Sequence, residues 1–289
     1  MRSDFYKIAV IGGDKRQVYL ARILAKKGYV VSVYGLCERI HDERIQEAAS
    51  LKEALKNVEA AVGPAPFIRS GKVTGTYEVS DINIEVLFDE LPENAVFFAG
   101  NIPDEVKRYA EGKGIRVYDM MKDELVAARN AVATAEGTVT EAITRSPVNL
   151  TKSRCLVLGY GRCGSVLTRL LKSLFCRVFV SEKDETRAAD AFILADGIVS
   201  EAELTDAVEN VDFIFNTVPE RILPEEKLRH VGKNTWILDI ASAPGGVDYR
   251  AAEVLSVNAV LLPSLPGRYA PASSAEILAD FIESQVELR

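Results

Sequence analysis

The stretch "CLVLGYGRCGSVL", Cys155 to Leu167, decides the fold class. An apolar run of strand type enters three glycines, Gly159, Gly161 and Gly164, spaced G-x-G-x-x-G, and a run of helical period follows. In a strand–turn–helix unit the first glycine permits the tight turn. The second lets a pyrophosphate come close to the backbone, and the third lets the helix pack against the strand. The helix start adds unpaired N–H groups and the positive end of a dipole. The motif alone is a weak signal, but its context is specific. It lies between the apolar "SRCLVLGY" and the helical "CGSVLTRLLKSLF", and the next strand, "CRVFVSE", ends in Glu182, 18 positions after Gly164. A ribose-binding acid is expected there. The reading is a dinucleotide site built from Gly159, Tyr160, Gly161, Arg162, Cys163 and Gly164, with Ser181, Glu182 and Lys183 at the ribose.

A second turn of the same kind stands far upstream, in "IAVIGGDKRQVYL", Ile8 to Leu20. At an offset of 147 residues Gly12 falls on Gly159, Asp14 on Gly161, Gln17 on Gly164 and Gly35 on Glu182. Asp14 puts a carboxylate where a pyrophosphate should approach, and Gln17 removes the close-packing glycine. The first copy therefore keeps the architecture without the cofactor site. Its turn still ends a strand, where open α/β sheets bind ligands. Asp14, Lys15, Arg16 and Gln17 would suit a small acidic substrate facing the cofactor; the plain alternative is a solvated loop.

Outward from these turns the chain alternates strand and helix. "YKIAVIGG", "YVVSVYG", "NVEAAVGP", "NAVFFAG" and "IRVYDM" read as strands of the first half, and "SRCLVLGY", "CRVFVSE", "VDFIFNTVP", "NTWILDIAS" and "AVLLPSLPG" as those of the second. Such short apolar runs suit parallel strands buried on both faces. The expected fold is α/β, with two Rossmann-like parallel-sheet domains joined by a long connecting helix. The expected boundaries are 1–128 for the first domain, 129–148 for the connecting helix and 149–271 for the dinucleotide domain, with a C-terminal helix, 272–289, packing back on the first domain. "SGKVTGTYEVSD", Ser70 to Asp81, reads as a hairpin or a flap.

Three strand-end loops of the second half could wrap the ribose and nicotinamide of a dinucleotide. They carry Asn216, Thr217, Val218 and Pro219; Ala241, Ser242, Gly245 and Gly246; and Pro263 to Pro271, which includes Arg268. Histidine offers little: His41 is expected in a solvated helix and His230 near a helix end, neither at a strand's carboxyl end. That counts against a hydroxy-acid dehydrogenase with a histidine base. Cys163, inside the turn with no histidine placed to activate it, argues against a cysteine nucleophile.

The 289 residues are 48% hydrophobic and 27% charged, with a formal net charge of −7. Scattered Lys and Arg within an acidic chain exclude a broad nucleic-acid surface. No apolar run approaches the roughly 18 residues of a spanning helix, and the start of the chain goes directly into a strand. The expectation is a cytoplasmic protein with no membrane contact. Cys37, Cys155, Cys163 and Cys176 form no C-x-x-C pair, so no metal site is expected.

Together, "IAVIGGDKRQ", "GYGRCG", "NTVPERIL", "LDIASAPGGVDY" and "LPSLPGRYAPASSAEIL" resemble the A-type subunit of dipicolinate synthase, from about residue 6 to residue 283. The glycine-turn half is also similar to the cofactor domain of adenosylhomocysteinase. The resemblance implies an enzyme of endospore-forming bacteria, working in the mother cell. It would oxidise a dihydrodipicolinate-type intermediate to pyridine-2,6-dicarboxylate with NAD or NADP. It also implies an oligomer and a flavoprotein-like partner, the B-type subunit of the same synthase. The substrate's two carboxylates would need Arg16 with the glycine-turn N–H groups, then Arg268, with Asp14, Gln17 and Ser242 beside them. Members using the phosphorylated cofactor tend to show a small residue and then Arg-Ser after the second strand, where this chain has Ser181, Glu182, Lys183 and Asp184. Glu182 would bond the 2′-hydroxyl of NAD and repel a 2′-phosphate, whereas Lys183 would attract one. The reading leans to NAD and keeps NADP open. Two alternatives remain: another NAD(P)-dependent dehydrogenase of a small acid, or a non-catalytic cofactor-binding protein that regulates a catalytic partner.

Overall fold

The computed structural model describes residues 6–69, 71–75 and 82–287. It divides into two compact units, one of Met1–Arg129 with Ala270–Arg289 and one of Asn130–Tyr269.

The first unit holds β1 (Lys7–Ile11), α1 (Lys15–Lys26), β2 (Val30–Tyr34), β3 (Ile45–Glu47), α2 (Leu51–Ala54) and β4 (Ala60–Val62). After a small antiparallel pair, β5 (Ile68–Arg69) and β6 (Lys72–Val73), come α3 (Ile84–Glu90), β7 (Val96–Ala99), α4 (Asp104–Gly112) and β8 (Arg116–Asp119). The six main strands are parallel in the order β3-β2-β1-β4-β7-β8. The apolar run of β1 has no polar alternation because both faces are covered. Ile8 and Val10 enter the core shared with α1, while Ala9 and Ile11 enter the core shared with α2 and α3.

The helix α5 (Glu124–Arg145) leads into the second unit: β9 (Arg154–Leu158), α6 (Arg162–Ser173), β10 (Arg177–Ser181), α7 (Glu185–Phe192), β11 (Gly197–Ile198), α8 (Leu204–Glu209) and β12 (Phe213–Asn216). There follow α9 (Glu225–Leu228), β13 (Trp236–Asp239), α10 (Tyr249–Val254), β14 (Asn258–Leu261) and α11 (Leu265–Tyr269). Its six strands are parallel in the equivalent order, β11-β10-β9-β12-β13-β14. The fold is thus α/β with two Rossmann-like parallel sheets. In each sheet the strand order reverses beside the first strand, and that is where such sheets bind ligands. Each glycine turn lies at this point.

The last helix, α12 (Pro271–Glu287), belongs to the first unit and lies along α1. Leu278, Ala279 and Ile282 join the core that holds Leu20 and Leu24, and Lys27 pairs with Glu283.

Two sequence expectations need correction. The long helix runs Glu124–Arg145 rather than 129–148. Asp123 starts it early by accepting the Val126 N–H at 2.9 Å, and the residue before Pro147 is biased away from helix. His41 lies exposed in a loop before β3, not in a helix. Of Ser70 to Asp81, Lys72–Val73 form one arm of a hairpin with Ile68–Arg69, while Ser70 and residues 76–81 lie outside the described residues.

Gly137 sits inside α5 because α11 packs there: a Cβ would stand 2.8 Å from Tyr269 Cδ2 and 3.1 Å from Leu265 Cβ. Glu141, one helical turn on and 3% exposed, ties the two helices. It accepts from Arg268 Nη2 and the Tyr269 hydroxyl, each at 2.5 Å, and from Arg145 Nε at 2.9 Å. Burial raises its pKa, but the Tyr269 hydroxyl, Arg145 and Arg268 outweigh burial and hold it below the ordinary glutamate value. A depressed carboxylate stabilises the fold above its unfolded pKa, and the contribution is lost as pH falls through the folded value. Glu141→Gln is therefore expected to destabilise the protein by about 2 kcal/mol at pH 7. The gap to wild type should close as pH falls below the ordinary glutamate range of about 4.3. Urea unfolding at pH 7 and pH 3.5 measures both; an equal gap at the two pH values contradicts the assignment.

Candidate dinucleotide site

The second unit's turn is shaped by missing side chains. Gly159 has φ +87, and a Cβ there would lie 2.5 Å from Thr217 Oγ1. A Cβ on Gly164 would lie 2.1 Å from the Gly159 carbonyl oxygen, so α6 can start only against a glycine. At Gly161 a Cβ would meet nothing within 4 Å, which leaves open space over the helix start. Gly161 is the N-cap of α6 and, having no side chain, makes no side-chain cap to the first turn. A helix start of this kind can offer backbone donors to an anion. Tyr160 is half-buried and Arg162 exposed. Burial pushes the Cys163 thiol up, away from the thiolate a nucleophile needs.

Glu182 follows the last residue of β10 and faces the turn. Its Oε2 accepts the Tyr160 N–H at 2.7 Å, and its Oε1 accepts the N–H groups of Lys183 at 2.9 Å and Asp184 at 3.0 Å. Burial raises its pKa, yet these backbone donors, with Arg187 beyond them, hold it below the usual glutamate range. Its oxygens keep acceptor capacity beyond these three bonds. Ser181 is buried with its carbonyl on the Gly159 N–H at 2.8 Å, and Lys183 is exposed.

The loops after β12 and β13 form one stitched platform. Asn216 and Asp239 are fully buried and bonded to each other, Nδ2 to Oδ1, at 2.8 Å. Asn216 also donates to the Val218 carbonyl at 3.0 Å and accepts the Val218 N–H at 3.1 Å. Asp239 further accepts the N–H of Ala241 at 3.1 Å, the N–H of Gly246 at 2.8 Å and the Tyr249 hydroxyl at 2.8 Å. Burial and the Asp239 carboxylate both push the Tyr249 phenol up, so it remains a donor. The Gly246 carbonyl accepts from both Ile222 and Leu223, each at 3.0 Å. Thr217 Oγ1 donates to the Leu158 carbonyl at 2.9 Å, joining the platform to the glycine turn. Sequence reading missed Asp239 and Tyr249. Asp239 left a trace, as an acid closing the apolar "WILD"; Tyr249 left none. Ala241 is buried, while Ser242 and Pro219 are exposed at the loop tips.

The first unit's turn meets donors of its own helix start, while Gln17 Nε2 stays buried without a hydrogen-bond partner. Asp14 caps α1 by accepting the Arg16 N–H at 3.0 Å, and Gln17 Oε1 accepts the Asp14 N–H at 3.1 Å. The Gln17 amide fills the cradle: a Cβ on Gly13 would stand 2.3 Å from its Oε1. Arg16 is 7% exposed, and its fork is taken by Asp14, Nε to Oδ1 at 2.9 Å and Nη2 to Oδ2 at 2.8 Å; Nη2 also reaches the Ala65 carbonyl. Burial raises the Asp14 pKa, but Arg16 outweighs it and keeps the carboxylate ionised. Lys15 is exposed. The structure thus gathers Asp14, Arg16 and Gln17 in one unit. In the other it gathers Gly159–Gly164, Ser181–Lys183, Asn216–Pro219 and Ala241. Arg268 stays with Glu141 on α5, about half-exposed. His230 is exposed just after α9.

Residues 7–121 match the model of the N-terminal domain of the dipicolinate synthase A-type subunit. Over 286 residues, 96% of this chain and 94% of the relative, the sequence is 30% identical to the A-type subunit of dipicolinate synthase from Bacillus subtilis. Among solved structures, the same subunit from Bacillus halodurans superposes with a TM-score of 0.87 at 24% identity, covering 98% of this chain and 99% of that one. Its Bacillus subtilis counterpart gives 0.85 at 27%, covering 98% and 96%. With the full-length sequence match and the same two-sheet architecture, the chain belongs to the family of dipicolinate synthase A-type subunits.

Proposed function

We propose that the chain binds NAD, or NADP, on its second unit and oxidises a dihydrodipicolinate-type dicarboxylate to dipicolinate, within a sporulation enzyme completed by a flavoprotein-like B-type subunit. The observation carrying this reading is the uncapped start of α6 under open space at Gly161. A pyrophosphate would accept from those N–H groups at the positive end of the helix. Glu182 would take the adenosine ribose, and the loops carrying Asn216–Pro219 and Ala241 would take the other ribose and the ring. The bound nicotinamide supplies a hydride acceptor. The chain's part is to hold ring and substrate in register and to keep water out. The product ring is aromatic, and that gain drives the oxidation without a finely tuned base, in keeping with two exposed histidines. The relatives are named as one subunit of their synthase, which fits a chain that works in a complex.

Gly161→Asp recreates the first turn's carboxylate at the helix start and is expected to abolish cofactor binding; calorimetry with NADH reads it, and unchanged affinity would place the cofactor elsewhere. Glu182→Ala is expected to weaken NAD by about 1 kcal/mol and to improve NADP relative to it. Equilibrium titration of both cofactors gives the ratio, which a solvent-facing Glu182 would leave where it is.

For the substrate, Arg16 remains the proposed carboxylate contact, with Asp14 and Gln17 as its frame and Ser242 and Arg268 as further contacts. Because Asp14 occupies the bidentate edge of Arg16, the substrate would receive a single charged hydrogen bond rather than a fork. Arg16→Ala is accordingly expected to lower kcat/KM about tenfold, near 1.5 kcal/mol, with cofactor affinity unchanged. Steady-state rates with both ligands varied test this; a change under twofold would assign Arg16 to scaffold alone.

A further inference from the structure

Asp239 is a fully buried carboxylate with four hydrogen-bond donors among the described residues, none of them a charged side chain. Taking a carboxylate out of water is expensive unless its acceptor sites are filled. Here the donors come from three separate places: Asn216 ending β12, Ala241 and Gly246 in the loop after β13, and Tyr249 opening α10. The two glycines of "APGG" exist for this arrangement. A Cβ on Gly245 would stand 2.4 Å from Asp239 Oδ2, and one on Gly246 would stand 2.4 Å from Asn216 Nδ2 and 2.7 Å from the Val218 carbonyl.

The sheet has two mononucleotide halves about β9. The half of β9, β10 and β11 holds the glycine turn and Glu182, which form the pyrophosphate and adenosine end. The half of β12, β13 and β14 holds the platform built on Asp239. The Thr217 hydroxyl and the Thr217 N–H, both on the Leu158 carbonyl, tie the platform's first loop to the end of β9.

We propose that Asp239 is a positioning residue for the nicotinamide end of the cofactor alone, acting through the loops 216–220 and 240–246, while the adenosine end is held independently by Gly159–Gly164 and Glu182. This rests on the cofactor reading above. Neutralising Asp239 puts an amide donor against a backbone N–H in either orientation, that of Ala241 or that of Gly246, and so unties the platform. Removing the Tyr249 hydroxyl withdraws one donor of four and is a milder form of the same change.

The test titrates the purified full chain with two probes, NADH and ADP, the second lacking both the nicotinamide ring and its ribose. Wild type is expected to bind both and to shift and enhance NADH emission. Asp239→Asn is expected to weaken NADH at least tenfold and to lose the emission shift, with ADP affinity within twofold of wild type. Tyr249→Phe is expected to weaken NADH three- to tenfold with ADP unchanged, and it carries the test if Asp239→Asn does not fold. Equal weakening of both probes would make Asp239 a general stabiliser and overturn the proposal, as would variants that bind NADH like wild type. If wild type binds neither probe, the cofactor reading itself fails, an outcome distinct from a variant that treats the two probes alike.

Discussion

The close approach of Gly164 to the Gly159 carbonyl is the constraint on which the candidate dinucleotide site depends. A single Cβ at 2.1 Å from that oxygen would push α6 off the turn. With the helix seated, Gly161 becomes an N-cap without a side chain, and the helix start has no side-chain cap from it. The electrostatics of the turn follow from that contact, because a helix start bare of its cap is suited to an anion.

The first unit shows what the same backbone does when the constraint is lifted. Gln17 stands in the close-packing position, and its amide folds back to the Asp14 N–H while Asp14 caps the Arg16 N–H. Two donors of that helix start are then met by its own capping box. Two units with the same strand order thus differ at the helix start, which carries a capping box in the first and no side-chain cap in the second. Duplicated architecture need not mean duplicated function, because the function sits in a few turn residues rather than in the sheet.

Buried charge is used in the same spirit in three places of the second unit. Glu141 holds α11 to α5, Glu182 holds the end of β10 to the glycine turn, and Asp239 holds the loops after β12 and β13. Each is an acid satisfied by donors from separate segments, so each converts loop freedom into a fixed shape. The donors differ. Glu141 is met by arginines and a tyrosine, Glu182 by backbone N–H groups, and Asp239 by backbone, amide and hydroxyl groups.

The sequence by itself determined the two parallel sheets and the location of both glycine turns. These are local properties: a strand buried on both faces reads as an unbroken apolar run, and a turn that needs no Cβ reads as glycine. Glu182, expected as a ribose acid from its spacing, stands beside the glycine turn with its Oε2 on the Tyr160 N–H. The tertiary structure decided what depends on residues far apart in the chain. Asp239 gains its meaning from Asn216, Gly246 and Tyr249, whose relation to it no periodicity encodes. Arg16 looked like an open anion fork in sequence, and only the folded turn shows Asp14 already filling it. Gly137, a poor helix former inside the long helix, is explained by Leu265 and Tyr269 packing on it from more than a hundred residues away. His41 left its expected helix because β3 begins at Ile45, and that strand exists only where β2 offers an edge to pair with. Backbone turns are set by steric limits that act within a few residues, whereas buried polar networks are set by which segments the fold brings together, and the sequence carries no local mark of the second.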